Sequence, residues 1–342
     1  MKEELKEIYK SIKITSLSSN KNIVYYFCAY VPPELIYASN HIPFRLLPSP
    51  TYFDRTDEFI PKYLCPYLRS ITEEILRKDI SLPKVIFTDG CDSSKRIYEV
   101  WKDLSFSYNT YFLQIPFNEK EEDIKYYGDQ LRNLFYSLDC KEERLIESIE
   151  LYNLARRKIK NLEIEGVGRG SFLYLINNIF HSIDIEEFLN MNFSFKGKRG
   201  IGRFYLFSTM FPLEFIEFLE EFNLEIYFND SCFGDRIQEE IKFYDDPFYS
   251  LSNYILKREG CVRRKSFNEK ISMIIKRVRE ENIKGVIFYS LKYCDPLLFT
   301  IPILREKLRE EKIPTLIIED DYSLGIKEQI RTRIEAFLEM IL

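Results

Sequence analysis

The chain has little of what small metal-finger, secreted or nucleotide-hydrolysing proteins depend on. Its 342 residues include only two histidines and one tryptophan, and no Cys-x-x-Cys pair occurs. Without such pairs, spacing alone gives neither a zinc knuckle nor a ferredoxin-type run, and neither histidine lies in a ligand-spaced pair. No G-x-x-x-x-G-K-[ST] loop is present, so the chain has no phosphate-binding loop of that kind. Basic residues are not in excess: 49 Lys and Arg stand against 54 Asp and Glu, for a net charge of −5. That balance lacks the basic footprint of a nucleic-acid binder. No stretch reaches the length and apolarity of a membrane span. The segment MKEELKEIYKSIKI has no apolar signal block, which predicts a protein that stays in the cytoplasm. Low-complexity tracts and short repeats are also missing.

Against these absences, 45% hydrophobic and 30% charged residues describe a soluble globular chain. The length suits two cores better than one. Seven cysteines remain to be explained. In a reducing compartment an odd number of thiols does not make a disulfide framework. They are either small buried hydrophobes or metal ligands.

The hydrophobic pattern alternates strands with helices. Apolar runs at 24–29, 84–89 and 109–115 read as strands, followed by amphipathic helices at about 121–136 and 143–159. A helix is expected at 181–189, then a Gly- and Lys-rich loop, FKGKRGIG. Beyond it the pattern gives strand 204–207, helix 213–221, strand 224–228, strand 285–290, helix 302–312, strand 315–318 and helix 326–341. Such alternation predicts βαβ units and parallel sheets. The expected architecture is α/β with two domains, each a mostly parallel sheet flanked by helices, with a helical connecting segment. Residues 1–20 form an N-terminal helix, 21–165 the first domain and 166–342 the second.

The cysteines fall where such a fold binds ligands. Cys91 follows the strand KVIFTD and precedes a helix. Cys294 follows the strand GVIFYS, and Cys65 precedes Pro66 at the start of a helical run. All three are expected at strand-to-helix connections on the carboxyl edge of a sheet. A helix N-terminus lowers a thiol pKa and can donate N–H groups to cluster sulfides. Three such thiols predict a cluster in the interdomain cleft; the competing reading is that each is an inert core residue.

Several segments, in order, carry a resemblance: CAYVPPELIYASNHIPFRL, CPYLRS, VIFTDGCDSSKRIYEVW, ESIELYNLARRK, NDSCFGDR, GVIFYSLKYCDP and EDDYSLGIKEQIRTRIEAFLEM. Together they resemble the 2-hydroxyacyl-CoA dehydratase and benzoyl-CoA reductase family, D-component type. The resemblance implies an oxygen-sensitive [4Fe-4S] cluster on Cys65, Cys91 and Cys294, with one iron free of protein ligand. It also implies an ATP-hydrolysing iron–sulfur activator protein, a homologous subunit or a second copy, and an acyl-CoA thioester substrate. In the dehydratases of this family one injected electron makes a ketyl radical that expels hydroxide, and the electron is recycled. The reductases consume electrons instead. Similar single-gene homodimers carry a double-cubane [8Fe-9S] cluster on six cysteines and act on small molecules; here Cys28, Cys232 and Cys261 form the second trio. A non-catalytic electron-transfer subunit is a third reading, of another class. Cys140 reads as structural.

Glu34, within the YVPPEL segment, and Ser39 and His41, just after it, are the candidates to move a proton near a thioester, His41 first. Each also has an ordinary structural reading. Where relatives commonly carry small residues, this chain has Ser39, Asn40 and His41. Asp92 and Asp295, directly after cysteines, are expected to cap helices. Arg331 and Arg333 are expected in ion pairs, and FKGKRGIGR is expected to be a solvated connector.

Overall fold

A computed structural model describes the chain apart from residues 17–21, 48–50, 139–141, 233, 259–260, 263–266, 323–326 and 342. Cys140 lies outside the described residues. In chain order the elements of the first half are α1 (Lys2–Ser16), β1 (Ile23–Tyr26), α2 (Pro33–Ala38), β2 (Ile42–Arg45), α3 (Pro66–Lys78), β3 (Leu82–Thr88), α4 (Asp92–Asp103), β4 (Ser107–Leu113), α5 (Glu121–Ser137) and α6 (Glu142–Lys160). The second half holds β5 (Ile164–Glu165), α7 (Arg169–Phe180), α8 (Ile185–Asn190), β6 (Phe195–Lys196), β7 (Gly202–Phe207), α9 (Leu213–Glu221) and β8 (Leu224–Asp230). It continues with α10 (Pro247–Lys257), α11 (Phe267–Glu280), β9 (Ile283–Leu291), α12 (Asp295–Glu310), β10 (Thr315–Asp320) and α13 (Lys327–Ile341).

Two four-stranded parallel sheets organise the molecule, in the orders β2-β1-β3-β4 and β10-β9-β7-β8. Both are built from helical crossovers, and both reverse direction of growth at one point. That point lies between β1 and β3 in the first sheet and between β7 and β9 in the second. A crevice opens outside the carboxyl ends of the strands at such a reversal. Buried central strands read as apolar runs: Val85, Ile86 and Phe87 in β3 and Val286, Ile287 and Phe288 in β9 are all fully buried. Pro43 sits in β2, an edge strand, where its missing N–H removes no ladder bond on the open side.

The helices explain what periodicity found and missed. α5 and α9 are amphipathic and match their expected spans closely. By contrast α7 (RGSFLYLINNIF) is buried at every position from Gly170 to Phe180. A helix that is apolar all round has no stripe to detect. The sequence places a helix at 181–189, whereas α8 begins at Ile185 after a break at His181. α12 begins at Asp295, well before the expected start at Pro302, which lies inside the helix; Pro296 occupies the favourable first-turn position.

The first sheet draws on β1–β4 and the second on β7–β10, and two helices pack across the halves. Helix α1 docks on the second half, where Tyr9 packs against Tyr174 and Lys2 and Lys6 pair with Glu220 and Glu217. Helix α10 docks on α5 of the first half: Phe248 packs on Phe135, and the Ser252 hydroxyl donates to the Ile124 carbonyl at 2.6 Å. Further ties join the halves. Tyr26 Oη and His181 Nδ1 are 2.8 Å apart, and the buried Arg45 donates to the Cys232 carbonyl.

Candidate functional site

Three of the cysteines are set by helix starts. Cys65, Cys91 and Cys294 are the N-cap residues of α3, α4 and α12. First-turn N–H groups of Tyr67 and Leu68, Ser94 and Leu297 draw the respective thiol pKa values down without closing full capping bonds. Burial opposes them and wins, pushing all three thiols up to about 12. Mutual repulsion adds to this: Cys65 is raised by Cys91, Cys91 by Cys294, and Cys294 by Cys65. Each of the three thus lies within electrostatic reach of another, and they come from both halves of the chain.

The other three described cysteines join the same neighbourhood. Cys28 lies just past β1, and a Cβ placed on Gly90 would stand 3.2 Å from its sulfur. That puts Cys28 beside the loop that carries Cys91, across the reversal point of the first sheet. Cys232 follows β8, and its thiol is raised first by a hydrogen bond with Cys261 and then by burial. Burial also raises Cys28, with Cys261 adding to it. The two trios touch, since Cys91 feels Cys28 and Cys261, and Cys294 feels Cys261. Cys232 and Cys294 are buried and the other four partly so, and none of the six is in a disulfide. Among the described residues, no three His, Cys, Asp or Glu side chains close on a single ion position. Soft sulfur donors of this kind have the chemistry that an iron–sulfur group would need.

Cations and donors gather unevenly around this set. Arg45 is fully buried at the end of β2, and it donates from Nη1 to the Cys232 carbonyl and from Nε to the Phe27 carbonyl at 3.3 Å. Arg236 pairs with the buried Asp230, which Lys270 approaches at 3.4 Å and the Tyr205 hydroxyl at 2.6 Å. On the Cys65 side, the Tyr322 hydroxyl is buried without a hydrogen-bond partner, in a residue held at φ 62°. Tyr322, Arg45 and Arg236 were not among the sequence candidates. The one available signal was position, directly after a strand end or inside the NDSCFGDR segment.

The proton-transfer candidates lie elsewhere. Ser39 and His41 follow α2 and immediately precede β2, on the amino edge of the first sheet, opposite to the cysteine edge. His41 Nδ1 meets the Ser39 hydroxyl at 2.9 Å and Nε2 meets Lys84 Nζ at 2.9 Å. Burial and the Lys84 charge both lower the His41 pKa. Glu34 is 1% exposed and tied to the buried Arg156. The structure thus brings the cysteines together but not Ser39 and His41 with them, because the short helix α2 carries the chain back across the sheet.

Asp92 and Asp295 do not cap: each stands one position inside its helix, where a carboxylate suits the positive end of the dipole. Arg331 does form ion pairs, with Glu221 at 3.3 Å and Glu328 at 3.9 Å. The FKGKRGIGR segment borders a polar pocket with Glu225, Glu281 and Lys284 on the amino edge of the second sheet.

Relatives match the chain along most of its length. A family model described as 2-hydroxyglutaryl-CoA dehydratase, D-component, matches residues 28–341. The (R)-phenyllactyl-CoA dehydratase beta subunit of Clostridium sporogenes is 23% identical, over 91% of this chain and 90% of that one. A benzoyl-CoA reductase subunit of Thauera aromatica is also 23% identical, over 94% and 91% of the two chains. The putative dehydratase subunit YjiM of Escherichia coli K12 is 22% identical, over 92% and 90%. Among the described residues no helix is long and apolar enough to cross a membrane. With a match running from Cys28 nearly to the last residue, this chain belongs to the 2-hydroxyglutaryl-CoA dehydratase D-component family.

Proposed function

We propose that this chain is the iron–sulfur subunit of an ATP-activated enzyme of the 2-hydroxyacyl-CoA dehydratase or benzoyl-CoA reductase type. Cys65, Cys91 and Cys294 are the ligands of a [4Fe-4S] cluster in this reading. The observation that carries it is that three N-cap thiols from both halves of the chain lie within electrostatic reach of one another. When bound, such a group supplies low-potential one-electron chemistry. The chain's own part is to hold the sulfurs at three helix N-termini and to bury them. Members named as subunits of dehydratases and of a reductase support a homologous partner chain or a second copy. A separate ATP-hydrolysing activator follows from the same family reading, as do an acyl-CoA thioester substrate and a cytoplasmic location.

One observation favours a second form. Cys232 and Cys28 are each raised by Cys261, and both trios are within electrostatic reach. That arrangement supports a double-cubane [8Fe-9S] group held by all six thiols.

Iron and acid-labile sulfide, counted after anaerobic purification, test both forms. About four irons per chain supports the single cubane and about eight the double form. A colourless, iron-free protein after anaerobic reconstitution overturns both.

A further inference from the structure

The two trios differ in what surrounds them, and the difference has a consequence for the electron. Arg236 is 6% exposed, four residues after Cys232, in the 3-10 turn that follows β8. Its guanidinium is locked on one side. Nε donates to Asp230 Oδ1, and Nη2 donates to the carbonyls of Ser208 at 3.1 Å and Asp230 at 2.7 Å. The remaining nitrogen, Nη1, is buried and has no hydrogen-bond partner. A buried, unmatched N–H on a charged group is costly, so its retention calls for an acceptor that completes it. The nearby anions are sulfur: Cys232 and Cys261 act on Arg236 after Asp230, and Arg236 acts on Cys232 in return.

Resting on the six-thiol, double-cubane form of the iron–sulfur reading above, we propose that Arg236 is a positioning residue whose Nη1–H donates to the sulfur set of Cys232 and Cys261, raising the electron affinity of the group held there. A fixed positive charge beside a sulfur-rich group favours its reduced, more negative state, and hydrogen bonds to the sulfurs act in the same direction. Lys270 also approaches the Asp230 carboxylate, at 3.4 Å. Arg45 fixes the Cys232 carbonyl from the other side. The first trio has a neutral phenol, Tyr322, and a carboxylate, Asp295, which raises Cys65. Reduction adds one electron from an external one-electron donor and breaks no bond; Arg236 stays protonated throughout.

The test uses the full chain, reconstituted anaerobically and titrated with titanium(III) citrate, with the midpoint followed by visible absorbance and electron paramagnetic resonance. Arg236→Gln is expected to lower the one-electron reduction constant at least tenfold, which is about 59 mV in the negative direction. Arg236→Lys, which keeps the charge, is expected to recover most of that loss at equal iron content. An unchanged midpoint in Arg236→Gln at full iron overturns the proposal. Equal shifts for Gln and Lys also overturn it, since that pattern belongs to a structural role. Should the Gln variant fail to hold iron, wild-type protein labelled with 15N-arginine decides: a 15N coupling to the reduced centre is expected, and its absence overturns the assignment. A wild-type chain with only about four irons removes the six-thiol form, and one without iron removes the iron–sulfur reading altogether, before any variant is compared.

Discussion

The two sheets of this protein share a strand order but use their carboxyl edges differently. Aligning β1 with β7, β2 with β8, β3 with β9 and β4 with β10 makes the two orders the same. Cys91 then falls three residues past the end of β3, and Cys294 three past the end of β9; both begin a helix. Two residues past β1 stands Cys28, and two past β7 stands Thr209, whose hydroxyl is 3.8 Å from the Cys294 sulfur. So the first sheet lines both sides of its reversal point with thiols. The second places one thiol there and moves another, Cys232, to the end of β8. The shared topology dictates where a ligand edge must lie. Which atoms fill that edge is left to individual residues.

The comparison is most strongly tested at its equivalent thiols. Cys91→Ser and Cys294→Ser are each expected to remove at least half of the bound iron, measured per chain after anaerobic reconstitution. Loss in one variant with full loading in the other would break the equivalence. Cys261→Ser sharpens it further: about half the iron is lost if six thiols hold the group, and none if three do.

Next in size is the ion pair under the first sheet. Glu34→Gln leaves Arg156 buried without its partner carboxylate, which costs about 3–5 kcal/mol in chemical denaturation. Unchanged stability with lost turnover would return Glu34 to a chemical role.

Between the halves, His181 gives a pH signature. Burial first, and then the charges of Arg45, Arg156 and Arg258, hold its pKa well below the usual imidazole value. The unfolded chain therefore takes up this proton first as the pH falls. Stability is full above about pH 6.5 and falls below it, with a slope of up to ~1.4 kcal/mol per pH unit. His181→Gln should flatten that slope, as read from denaturation midpoints between about pH 5 and pH 7.

The smallest effect is expected at the opposite edge. His41→Ala should leave iron content unchanged and shift stability by no more than ~1 kcal/mol, because it removes only partly buried hydrogen bonds. A large loss of iron in that variant would mean that the amino edge of the first sheet participates after all.

Much of this architecture was legible in the chain. Strands β3 and β9 are unbroken apolar runs, helices α5 and α9 carry clean stripes, and Pro66 announces the start of α3. Helix α7 was not legible because burial on all sides erases periodicity, and Pro302 misled because tertiary packing keeps it inside α12. Among the site residues, the cysteines were readable as strand-end and helix-start positions. Ser39 and His41 lie on the opposite edge because α2 carries the chain back across the sheet before β2 begins, which their place in the YVPPEL neighbourhood does not reveal.

By itself the sequence determined the alternation of strands and helices, and with it the carboxyl edges on which Cys65, Cys91 and Cys294 stand, since local pattern and helix-start chemistry depend only on neighbours along the chain. Tertiary structure alone decided that the two edges meet, that Cys28, Cys232 and Cys261 join them, and that Arg45 and Arg236 are buried on one side of the set. Most of those contacts join residues far apart along the chain, and no local periodicity encodes which faces of two sheets will pack together.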